Sequence, residues 1–105
     1  MIGVVMIVRT KPGRAEEFAR LVAKLQRDVR ANEPEALIWQ VMRAQDDANL
    51  FYFTELFATA EAQATHADMP YHVAMSAAGW DCVDGQPEIR LCTPITEKDI
   101  EGETV

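Results

Sequence analysis

Two side chains in this sequence are of types that move protons. His66 lies in a stretch of helical spacing and shares a face with Ala62 and Met69, the face that should meet a sheet. A half-buried imidazole there can accept a proton near neutral pH. The same spacing also suits a core histidine bonded to a backbone carbonyl. Glu55 shares a strand face with Phe53 and Phe57. A carboxylate among aromatic rings is costly to bury unless it is paired. It either pairs with an arginine, Arg43 or Arg9, or serves as an acid or base. Tyr52, Tyr71 and Trp80 either line an aromatic pocket, each with a polar handle, or fill a core. His72 is expected on the exposed side of its segment.

Other chemistries find less support. The sequence has no Gly-rich phosphate loop and no Ser-His-Asp arrangement. His66, Asp68 and His72 do not follow the i, i+4 spacing that would bring metal ligands together on one helix face, so no metal is expected. Cys82 and Cys92 match no zinc or redox spacing. Cys92 is expected to be an inert core thiol in a strand, and Cys82 to lie in a loop where it could react.

The elements that must position these residues are legible in order. Ile2 to Arg9 is a β-branched run that ends at Lys11-Pro12-Gly13, a buried strand and a turn. Arg14 to Asn32 carries Phe18, Leu21, Val22, Leu25 and Val29 at helical spacing, and Pro34 stops it. Ala36 to Arg43 and Phe51 to Phe57 form a hairpin about the polar turn Asp46 to Asn49. Thr59 caps a second helix, and Pro70 opens a further helical segment that ends at Gly79 as a left-handed cap. Trp80 to Gln86 is a loop, and Pro87 to Thr93 is a final strand. Residues 1–95 form one domain and 96–105 an acidic tail. The order is βαββαβ, a ferredoxin-like α+β fold with a four-stranded antiparallel sheet.

The strands also predict a partner. Ile2, Val4, Met6 and Val8 oppose Val5 and Ile7. Leu37, Trp39 and Val41 oppose Ile38 and Met42. Phe51, Phe53 and Phe57 oppose Tyr52 and Leu56. Both sheet faces are apolar, and two helices cover one. A second copy laid against the open face gives a homodimer. The net charge of −7 argues against nucleic acid and against an anionic membrane surface. No apolar run is long enough to span a bilayer. The start of the chain lacks the pattern of a secretory leader, so a cytoplasmic location is expected.

Together these segments resemble the antibiotic biosynthesis monooxygenase family of dimeric α/β-barrel proteins, which includes quinol monooxygenase-like members. The resemblance rests on Lys11-Pro12-Gly13-Arg14 leading into a helix with Glu17 and Phe18, and on Asp46 to Asn49 leading into a strand with Glu55. It rests further on Glu61-Ala62 leading to His66 and then Pro70-Tyr71, and on a last strand that ends Thr93-Pro94. It implies a barrel-like dimer with a cavity between each sheet and its helices. It also implies a cofactor-independent monooxygenase that uses molecular oxygen on a small aromatic phenol or quinol. His66 matches the family's usual helix histidine and Glu55 its strand carboxylate. Tyr52, Phe57, Tyr71 and Trp80 would shape the substrate pocket. Phe57 stands where many members have Trp. Haem-degrading relatives use an Asn in the first strand and a Trp and a His around the second helix. Here that Asn is missing, His66 takes the Trp place and Ser76 stands near the expected His, so haem is disfavoured. A non-oxidative isomerase or a non-catalytic binding module on the same scaffold are the alternative readings.

Overall fold

The computed structural model describes residues 1–102. Strand β1 (Ile2–Arg9) leads through Gly13, whose φ of 81° suits glycine, into α1 (Ala15–Asn32). The apolar stripe of α1 buries Phe18, Val22, Leu25 and Val29. Its chain leaves the helix at Glu33, just before Pro34, where the helical conformation is disfavoured. Strands β2 (Ala36–Arg43) and β3 (Leu50–Phe57) form the expected hairpin. Thr59 accepts a hydrogen bond from the Ala62 amide and caps α2 (Ala60–Asp68). Pro70 then takes the first turn of α3 (Pro70–Asp81). The short β4 (Glu88–Cys92) and a 3-10 turn over Glu97–Ile100 complete the described chain.

The sheet has strand order β2-β3-β1-β4, and every neighbouring pair is antiparallel. This is the ferredoxin-like arrangement that the sequence predicts. Register assigns each residue to a face. Val4, Met6 and Val8 lie opposite Glu55, Phe53 and Phe51, and Trp39 and Val41 lie opposite Glu55 and Phe53. This is the face that the core occupies, with Val4, Val8, Trp39, Phe51, Phe53 and Phe57 buried together with the α1 stripe. The other face carries Val5, Ile7, Ile38, Met42, Tyr52 and Leu56. Of these, Val5, Ile38 and Met42 are 36%, 47% and 51% exposed.

Several expectations need correction. Gly79 is not a left-handed cap: α3 continues through it to Asp81, so Trp80 is helical rather than in a loop. The missing side chain at Gly79 leaves room for the end of Met75, one turn earlier on the same helix, and for the edge of Phe18 from α1. Leu37 does not share the face of Trp39 in simple alternation, because the β2–β3 register shifts between Ala36 and Ile38. Cys92 is exposed, opposite Gly3 on the open face, and is not a core thiol. Cys82 is fully buried where α3 ends, and burial pushes its thiol up, away from reactivity. Residues 103–105 of the expected tail lie outside the described residues.

Candidate active site

His66 is the residue that α2 buries. A polar side chain on the inward face of a helix must find partners, and it does. Its Nδ1 lies 3.0 and 3.1 Å from the two carboxylate oxygens of Glu33, which the end of α1 delivers. The Tyr71 hydroxyl, from the first turn of α3, donates to the same carboxylate. Glu33 accepts, so the imidazole carries its proton on Nδ1 and its Nε2 makes no hydrogen bond among the described residues. The ring packs at a tilt against Phe57, at 5.4 Å, and Trp39, at 5.7 Å. The His72 ring meets it edge-on at 4.7 Å.

Beside His66 opens a cavity of about 220 Å³ between the sheet and the helices. Most of its wall is apolar: Val4, Met6, Val8, Phe18, Phe53 and Met75. The polar groups on it are few: Glu55, His66, His72, Gln63, Ser76 and the Trp39 and Trp80 indoles. An apolar cleft with a few converging polar groups is the usual form of a small-molecule site.

Glu55 faces this cavity with no cation paired to it among the described residues. Arg43 is held by Glu16 at 3.0 Å and lies over the Phe51 ring, while Arg9 pairs with Asp47 at 2.7 Å. The arginine pairing that the sequence allowed is therefore absent. Burial pushes the Glu55 carboxyl up to about 7, and the charge of Glu33 adds to the rise. Trp39 sits opposite Glu55 across the hairpin, and its nearness works against that rise. Its indole Nε1 nevertheless makes no hydrogen bond of normal geometry and stays a buried donor without a partner.

The expected pocket residues divide. Trp80 lines the cavity at its exposed rim. Phe57 is fully buried behind His66 and does not reach the cavity. Tyr71 also stays outside and instead holds Glu33. Tyr52 lies on the opposite sheet face, paired with Ile7 and Met42, so it cannot line this pocket. His72, expected to be exposed, is half-buried on the cavity wall because α3 turns back after Met69. Burial and the neighbouring His66 ring hold it below the ordinary imidazole value. Among the described residues, no group of three or more His, Cys, Asp or Glu side chains is placed to hold a metal ion.

A family model described as antibiotic biosynthesis monooxygenase matches residues 1–78. The chain belongs to the antibiotic biosynthesis monooxygenase family. A Caulobacter crescentus protein provisionally named for the same family shares 30% identity, with 90% of each chain covered and a TM-score of 0.85. A similarly named Nitrosomonas europaea protein has a TM-score of 0.85 at 15% identity, with 91% of this chain and 100% of that chain covered. At that identity the likeness speaks to the fold alone. No curated protein matches the chain closely enough to count as a relative. Within this antibiotic biosynthesis monooxygenase fold, three features are not evident from the sequence: Trp39 and the inward turn of His72 at the cavity, and Glu33 behind His66. Glu33 sits 33 positions from His66, and no local periodicity connects them. The adjacent Pro34, which ends α1 at that point, was the available signal.

Proposed function

We propose that this chain is a cofactor-independent monooxygenase acting on a small aromatic phenol or quinol. The observation that carries the reading is His66, bonded through Nδ1 to a buried carboxylate and presented at an apolar cavity. The carboxylate orients the ring, leaving Nε2 to accept the substrate hydroxyl proton. A deprotonated quinol is electron-rich enough to reduce oxygen itself. The reaction balances without another reductant: a hydroquinone and O2 give a hydroxyquinone and water. The substrate supplies both the electrons and the hydrogens of that water. The apolar wall serves by excluding solvent from the reactive anion. Glu55, protonated below about pH 7, is a hydrogen-bond donor to a substrate oxygen.

The reading includes a homodimer in which a second copy covers the open face of Val5, Ile38 and Met42. No helix among the described residues is long and apolar enough to cross a membrane. The test is oxygen uptake with a panel of hydroquinones and polyphenols. His66→Ala should lower the rate by roughly 100-fold or more while the fold persists. No uptake above background across the panel would end the proposal.

A further inference from the structure

Glu33 lies between two separate spaces. On one side its carboxylate meets His66, which lines the inner cavity. On the other the residue lines an outer groove of about 270 Å³, with Glu35, Glu61, Thr65 and Met69, and its side chain stays 9% exposed. No described residue lines both spaces. The helix α2 divides them: Gln63, His66 and Ala67 face the cavity, whereas Ala62, Thr65 and Met69 face the groove. The hydrogen bond between His66 and Glu33 therefore passes through the wall between them. The groove lining contains three carboxylates and no basic residue, which favours the presence of protons there.

We propose that His66 and Glu33 form a proton relay that connects the substrate cavity to the acidic groove behind α2. The relay rests on the proposed deprotonation of the substrate by His66. As the substrate proton reaches Nε2, the Nδ1 proton passes to the Glu33 carboxylate, and the imidazole stays neutral throughout. Glu33 then gives that proton to water in the groove. The direction reverses when oxygen is reduced and product water takes up protons, so the full turnover releases none. An aromatic ring filling the cavity displaces water from its mouth, which leaves the relay as the open route. Tyr71 holds the carboxylate in place by donating to it. Burial and that bond keep the Tyr71 hydroxyl protonated at all ordinary pH, so it remains a donor.

The test uses Glu33→Gln, which keeps a hydrogen-bonding oxygen for His66 but cannot carry the proton onward. In the full protein without substrate, the exchange of the His66 Nδ1 proton with solvent is followed by ¹⁵N-resolved NMR. A relay predicts slower exchange in Glu33→Gln. Equal or faster exchange, as expected when a merely structural bond is weakened, overturns the relay. Glu33→Asp, which retains the carboxylate, should restore the exchange and covers the case in which the amide variant folds poorly. In oxygen uptake with hydroquinone, Glu33→Gln should lower kcat by about 10-fold or more with little change in KM. Added formate or imidazole buffer should restore part of it. A kcat loss that no buffer restores also counts against the relay. Absence of uptake in the unmodified protein defeats the monooxygenase reading alone, since the exchange measurement still decides the relay.

Discussion

At the scale of single residues, the cavity is governed by which polar groups have partners. His66 has Glu33, and Glu33 has Tyr71, whereas among the described residues Glu55 has no cation and the Trp39 indole no acceptor at hydrogen-bonding geometry. The consequence for Glu55 is a pH dependence of stability. Its folded form keeps the proton from its ordinary value of 4.5 up to about 7. The folded state therefore binds more protons than the unfolded chain in that window, and its stability falls as pH rises through it. Thermal melts from pH 5 to 8 should show this decline, and Glu55→Gln should flatten it. At pH 8 that variant should be the more stable, by on the order of 1 kcal/mol. A parallel decline in the variant would remove Glu55 as the cause. The types of His66 and Glu55 made them visible in the sequence. Their partners were hidden, since the pairing of Glu55 with Arg43 or Arg9 is decided by Glu16 and Asp47, which compete for those arginines from other elements.

At the scale of elements, α1 and the strands were readable because their apolar residues repeat at clear periods. The helices α2 and α3 were less so. The inward residue of α2 is a histidine and that of α3 a glycine, so neither helix shows an apolar stripe. That is why the sequence points to a stop at Gly79 and an exposed His72. Two variants probe these helices. Thr59→Ala removes the cap on the Ala62 amide and should cost about 1 kcal/mol of stability. Gly79→Ala places a Cβ 3.0 Å from Met75 Cε and 3.1 Å from its Sδ. The flexible end of Met75 must yield, and Met75 lines the cavity. Higher helix propensity, worth about 1 kcal/mol, offsets the crowding. The melting temperature should hold while phenol binding weakens, which calorimetry would measure. Unchanged binding would show that Met75 gives way in another direction.

At the scale of the whole molecule, the chain is less compact than its length suggests. Its radius of gyration is 15.6 Å, against about 13 Å for a compact domain of roughly this size. Every residue of β4 is exposed, and so is almost all of the segment that follows. Together with the apolar open face, this supports the proposed homodimer, in which a second copy covers that face. Met42→Lys should shift sedimentation towards the monomer, because it places a charge on the proposed interface. A variant that sediments as the native protein does would move the interface elsewhere. The two-faced apolar strands made the apolar open face legible in the sequence, but the bulge at Ala36 and Ile38 was not, since register is set across strands rather than along one. Strands β2 and β3 carry Trp39, Phe53 and Glu55 on the cavity side, and Ile38, Met42 and Leu56 on the open side. A single layer of backbone thus separates an occupant of the cavity from the second copy of the proposed dimer. Binding free energies at two such places are reciprocal. If a phenol tightens the self-association, dilution must weaken the phenol in equal measure, and the affinity of the site becomes a function of how much of the protein is present.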